Sequence, residues 1–159
     1  MTKNQQNILI LEDIRSVQNV GSIFRTAETA QISKIYLTGH TPTPLDRFGK
    51  RRKDLAKIAL GAEELVPWEF KKRLIPLLSK LKKAGYLIIA IEQDKNSVDY
   101  KKIKIGKKNV FILGTEVSGI SKKVLQKCDL IAEIPMKGKK ESLNVSVAFG
   151  VAIFRILNI

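Results

Sequence analysis

A chain of 159 residues is the usual size of one domain that buries its own core, and at 44% hydrophobic it is not a disordered segment. No apolar run reaches the roughly 20 residues of a membrane span, and the start, MTKNQQNILILED, lacks the charged, apolar and cleavable succession of a signal peptide. One cysteine (Cys128) and one histidine (His40) exclude an internal disulfide and a Cys/His zinc site, and a net charge of +14 favours a polyanionic partner. The lone cysteine suits a reducing cytoplasm. The basic residues cluster at 49–57 (GKRRKDLAK), 71–73 (KKR), 101–108 (KKIKIGKK) and 137–140 (KGKK). Aromatics do not alternate with them, so stacking platforms for single strands find little support in the sequence.

NILILE (7–12) reads as a buried strand, followed by a helix over 19–31 that Asn19 can cap. In NVGSIFRTAETA, Gly21 weakens that helix and Arg25 stands four residues on, beside apolar Phe24. The pair suggests a ligand that approaches the backbone at Gly21 within reach of a guanidinium. KIYLTG (34–39) is a second strand, and a two-proline loop at 40–50 reads as a mobile connector. RKDLAKIAL is a short helix ending at Gly61, and ELVPWE (64–69) an edge strand because Pro67 interrupts it. Residues 70–84 form a basic helix stopped by Gly85 despite Pro76; YLIIAIE (86–92) and NVFILG (109–114) are central strands. SKKVLQKC is a short helix that Ser121 can cap, LIAEIPM (130–136) a last strand, and 143–157 a largely apolar helix. The alternation predicts a single α/β domain with a mostly parallel sheet flanked by helices on both faces.

Ligands of such sheets bind beyond the carboxyl ends of the strands. In FILGTEVSGIS (111–121), Gly114 and Gly119 permit turns or close backbone approach, and Glu116 between them can cap, bind a ribose hydroxyl or face water. The spacing is not that of a phosphate-binding glycine loop, so NAD and NTP readings fail. In IPMKGKKESLNVSVAFGVAIF (134–154), Lys137, Lys139 and Lys140 sit in a loop, Ser142 begins a helix, and Asn144 lies one turn into an apolar segment where an unpartnered amide would be costly. Small polar groups beside apolar ones suit a neutral, flat ligand such as adenine.

Together NVGSIFRTA, FILGTEVSGIS and IPMKGKKESLNVSVAFG resemble, in order and spacing, the signature motifs of the SpoU family of RNA 2′-O-ribose methyltransferases in the SPOUT superfamily. The resemblance covers essentially all of residues 1–159, as a minimal single-domain member without an RNA-binding extension. It implies a C-terminal deep trefoil knot, a homodimer, S-adenosylmethionine as cofactor, tRNA or rRNA as partner, and no metal. By carry-over the cofactor is held by Ile91, Gly114, Ile134, Met136, Ser142 and Leu143, and the catalytic set is Asn19, Arg25, Glu116, Ser142 and Asn144. An arginine is essentially always charged, so Arg25 is better suited to clamp the phosphate and stabilise a developing alkoxide than to accept a proton. Two other readings share these motifs: an RNA- or ribosome-binding protein without catalysis, and a methyltransferase acting on a base. SLNVSVA and Arg25 favour the ribose branch.

Overall fold

The computed structural model describes residues 5–159; residues 1–4, where the stretch read for a signal peptide begins, lie outside it. The elements run β1 (Gln6–Glu12), α1 (Val17–Thr29), β2 (Lys34–Thr38), α2 (Lys53–Ala59), α3 (Ala62–Leu65), β3 (Trp68–Lys71) and α4 (Leu74–Lys83). Then follow β4 (Leu87–Ile91), β5 (Val98–Asp99) with a 3-10 turn at Tyr100–Lys102, β6 (Lys108–Leu113), α5 (Lys122–Leu125), β7 (Leu130–Glu133) and α6 (Val145–Leu157). The seven strands form one sheet in the order β3-β2-β1-β6-β4-β7-β5, and every pairing between them is parallel.

Strand alternation divides the core in two. Leu9 and Leu11 of β1 and Phe111 and Leu113 of β6 face α1, α2, α3 and α6, whereas Ile8, Ile10, Val110 and Ile112 face α4 and α5. The central strands are therefore apolar on both sides, which is why NILILE and NVFILG read as unbroken hydrophobic runs. No helix among the described residues is long and apolar enough to cross a membrane.

Several boundaries differ from the expected ones. Helix α1 is capped by Ser16, whose hydroxyl accepts from the Asn19 amide at 3.2 Å, so Asn19 is not the cap but lies in the first turn. Gly21 is buried against α2: a Cβ there would stand 2.8 Å from Ile58 Cβ and 3.3 Å from the Ala59 nitrogen, so this glycine serves helix packing and leaves no room for a ligand. The expected strand at 64–69 begins only at Trp68, because Gly61, at φ 91°, starts the extra turn α3; Pro67 precedes the edge strand β3 and its carbonyl accepts from Ile35 N at 2.8 Å. Phe70 and Lys71 belong to that strand, not to α4, and Pro76 is the third residue of α4, where no intrahelical donor is required. Ser121 holds the N-cap position of α5 without a side-chain capping bond. The last strand ends at Glu133, two residues before Pro135.

At the C-terminal end, α6 begins at Val145, and Asn144 is its N-cap rather than a residue one turn inside, its Oδ1 accepting from Ser146 N at 2.9 Å and Val147 N at 3.4 Å. Asn144 is exposed, so the cost expected of a buried amide does not arise. The short β5 is a strand that the sequence reading did not contain. Because β7 lies between β4 and β5, the 92–97 connector must cross β7.

Candidate active site

The carboxyl ends of β4, β6 and β7 open into a cleft of about 610 Å³. Ile91, Gly114, Ile134, Met136, Ser142 and Leu143, the six residues expected to hold a cofactor, all line it, although they come from three separate stretches of the chain. The wall at 114–120 is a tight loop folded on itself: Gly119 N donates to Thr115 O at 2.9 Å, and a Cβ on Gly114 would lie 2.6 Å from the Gly119 carbonyl carbon and the Ile120 nitrogen. The close approach at Gly114 is thus made by the chain's own backbone. Gly119 turns the loop at φ +64°, and its α-carbon faces the Glu92 carboxylate.

Glu92 and Gln93 went unremarked in the sequence, yet they fasten both walls. The Glu92 carboxylate accepts from Ile120 N at 2.9 Å and from Gln93 N at 2.8 Å. Gln93 Nε2 donates to Glu141 O at 2.6 Å, which ties the end of β4 to the segment before Ser142. One polar pair after a strand looks like any turn; no periodicity or motif separates it from a solvated one.

A second cavity of about 540 Å³, bounded by Asp13, Arg15, Ser16 and Asn19, shares the wall Thr115–Ser118 with the first. Glu116 borders both. Its Oε1 accepts from Asn19 Nδ2 at 2.8 Å, and Asn19 Oδ1 accepts from Asn144 Nδ2 at 3.0 Å. Asn144 Oδ1 in turn takes Ser146 Oγ at 2.7 Å. One continuous hydrogen-bonded line therefore joins α1, the 114–120 loop and the start of α6. Partial burial would raise the Glu116 carboxyl, but donors from the Asn19 side chain and from the backbone of Glu116, Arg15 and Ser16 outweigh it and hold the group below the usual carboxylate range. It is a fixed anion, orienting Asn19 rather than waiting for a proton.

Of the expected catalytic residues, Asn19, Glu116 and Asn144 meet where the two cavities adjoin, and Ser142 lines the first. Arg25 does not. It is exposed on α1 and lines neither cavity.

The first cavity carries two carboxylates, Glu92 and Glu116, and no lysine or arginine, in a chain of net charge +14. That lining disfavours a phosphate-bearing ligand and suits one with apolar rings and positive charge. Among the described residues no group of three or more His, Cys, Asp or Glu is placed to hold a metal ion.

The chain is 32% identical over 149 residues to a protein of Staphylococcus saprophyticus named for the TrmH family of tRNA/rRNA methyltransferases, covering 94% of this chain and 57% of that one. It is 29% identical to the 23S rRNA (guanosine-2′-O-)-methyltransferase RlmB of Pseudomonas aeruginosa, covering 94% of this chain and 58% of that one. The crystal structure of an AdoMet-bound rRNA methyltransferase from Sinorhizobium meliloti superposes with a TM-score of 0.86 at 25% identity, over 98% of this chain and 57% of that one. The chain thus spans a little over half the length of these relatives. The profile of the SpoU rRNA Methylase family matches residues 6–154, from the first strand through most of α6, and the chain belongs to that family.

Proposed function

We propose that the chain transfers a methyl group from S-adenosylmethionine to a ribose 2′-hydroxyl of tRNA or rRNA. The observation that carries this reading is the pair of adjoining cavities: one cation-free and lined by all six expected cofactor residues, the other lined by Asn19 and Arg15, with Glu116 on the wall between. A sulfonium cofactor fits the first cavity because its carboxylates favour positive charge and its apolar side chains (Ile91, Ile134, Met136, Leu143) favour a flat ring. When bound, it supplies an electrophilic methyl group.

The chain's own residues then have to position the ribose and manage charge. Asn19, held from one side by Glu116 and from the other by Asn144, offers a fixed amide to the second cavity. Ser142 lies beside Asn144 on the rim of the first. Neither Arg25, always cationic, nor Glu116, held low, is a strong base, so these residues act by orientation and field. Arg25 grips a phosphate beside the target ribose and stabilises the oxygen as its charge grows.

Homodimerisation belongs to the same reading. Val147 and Val151 of α6 are 50% and 40% exposed, and Val117, on the loop that walls the first cavity, is 97% exposed, which leaves an uncovered apolar rim. A second copy covering that rim would bring its own Arg25, on the α1 that packs against α6, toward this site. The position of β7 between β4 and β5 supports the trefoil knot that the family resemblance implies. An RNA substrate and a lone cysteine without a disulfide point to the cytoplasm.

Transfer of labelled methyl groups into total tRNA and rRNA, followed by mapping of alkali-resistant linkages, tests the reading. Label at resistant linkages supports it. Label confined to alkali-labile nucleotides replaces it with base methylation, and RNA binding without cofactor binding replaces it with a non-catalytic role.

A further inference from the structure

The segment 40–52 is not the slack connector that its prolines suggested. Thr41 and Pro44 are buried, and Thr41 Oγ1 accepts from Ile14 N at 3.1 Å. Leu45 and Arg51 form an antiparallel bridge, Asp46 N donates to Lys50 O at 2.8 Å, and Arg52 N donates to Pro44 O at 2.9 Å. At the tip a single carboxylate oxygen, Asp46 Oδ1, accepts from Phe48 N at 2.8 Å and from Lys50 N at 2.9 Å, while Gly49 turns at φ +75°. The result is a small, internally bonded finger whose outermost large side chain is Phe48, 71% exposed.

A lone exposed phenylalanine is ordinary on a protein surface. Three things set this one apart. The tip that presents it is organised by its own hydrogen bonds, so the ring is offered from a prearranged backbone. The Arg47 guanidinium lies 4.7 Å from the ring centroid, and among the described residues neither Arg47, Lys50 nor Lys53 has an acidic partner, whereas Arg51 and Arg52 are spent on Glu63, Glu64 and Asp54. The finger is also rooted at the second cavity: His40, at its base, bonds Asp13 through both its backbone amide at 2.9 Å and Nδ1 at 2.6 Å, and Asp13 lines that cavity.

An aromatic face flanked by unspent cations is what an unpaired nucleobase and its phosphates require, since every base has a π-face and stacking is indifferent to sequence. A second copy of this chain is a poor occupant, because like charge would meet like. Resting on the reading that RNA is the substrate, we propose that Phe48, backed by Arg47, is a stacking platform for an unpaired base of that RNA near the target nucleotide. It is a positioning residue and takes no part in methyl transfer itself.

The test uses the full chain, unfractionated tRNA, with rRNA titrated in its place if wild type does not bind tRNA, and three proteins: wild type, Phe48→Ala and Phe48→Trp. Phe48→Ala should weaken tRNA binding about 5- to 100-fold, raise the KM for RNA more than it lowers kcat, and leave cofactor affinity unchanged. Phe48→Trp should bind as wild type does, and its added indole emission, measured above that of Trp68, should be quenched as tRNA saturates. Unaltered tRNA affinity in Phe48→Ala, or indole emission indifferent to tRNA, overturns the platform. So does a Phe48→Ala protein whose only change is a smaller sedimenting species, which would make the finger a contact between copies. If wild type itself binds no RNA, the RNA reading fails and the platform with it; if wild type binds and Phe48→Ala binds equally, only the platform fails.

Discussion

Asn144 holds two positions at once, and they can be separated. As N-cap of α6 it satisfies two backbone amides; as neighbour of Asn19 it fixes an amide at the junction of the two cavities. Asn144→Ala should cost about 1 kcal/mol and lower Tm by roughly 2–4 °C, while also cutting turnover. Asn144→Ser keeps a capping oxygen but cannot reach Asn19, so it should restore Tm and leave turnover low; recovery of both would reduce Asn144 to a cap. Arg25→Ala should leave cofactor affinity by calorimetry unchanged and lower turnover about 100-fold or more, and unchanged turnover would remove Arg25 from the site. One titrating group lies outside the cavities. Burial, then the charge of Asp13, pushes the Glu12 carboxyl up from 4.5 to about 7, and its Oε2 is buried without a partner. The folded chain therefore holds a proton that the unfolded chain has released; that stability is complete below 4.5 and is lost as pH rises through about 7. Wild-type Tm should fall relative to Glu12→Gln between about pH 5 and pH 8, and parallel curves would refute the shift. Which of these roles the sequence disclosed follows from how residues are shared. That six residues would share one cavity was legible because two motifs carry five of them, Gly114 in one and Ile134, Met136, Ser142 and Leu143 in the other, with Ile91 at the end of β4. The cap itself is not legible, because Ser16 and Asn19 are both good cap formers and only the fold decides that Ser16 accepts the first bond.

At the level of elements, α1 and α2 meet where Gly21 admits Ile58. Replacing glycine by alanine inside a helix ordinarily gains about 1 kcal/mol. Here the added carbon would stand 2.8 and 2.9 Å from Ile58 Cβ and Cγ2, atoms close to the backbone of α2 that cannot swing aside. Gly21→Ala should therefore lower Tm where propensity alone would raise it, and its cost should shrink in an Ile58→Ala background, as expected of two residues in one contact. A raised Tm in the single variant would show that α2 yields freely. The same contact accounts for the close approach that the sequence attributes to a ligand: a helical glycine signals close approach but does not say of what. Strand identities were legible wherever apolar runs are buried on both faces, as in β1, β4 and β6. β5 was not legible, since two residues, Val98 and Asp99, have no period and pair only because β7 is already in place. The α3 turn was hidden by Pro67, which marked a break without saying on which side the strand would lie.

Charge is distributed unevenly over the whole molecule, and that separates the two proposed ligands physically. The first cavity holds two carboxylates and no cation, while the surface carries nearly all of 29 lysines and arginines, few of them in the ion pairs formed among the described residues. RNA bound to such a surface displaces counterions; with about five phosphates neutralised, log affinity should fall with log salt at a slope near −4, or roughly two orders of magnitude from 50 to 200 mM. A ligand sunk in the cleft, bearing one sulfonium and a zwitterionic amino acid, neutralises no polyphosphate and should show almost no such slope. Titrating tRNA and S-adenosylmethionine separately over that range of salt should give one steep line and one nearly flat line. Two flat lines would remove the polyanion from the account of the +14 charge, and two steep ones would mean that the cofactor cavity is not the cation-free cleft beneath the 114–120 loop. A steep line for tRNA that becomes shallower by about one in Arg47→Ala would further locate one of those displaced counterions at the finger beside Phe48.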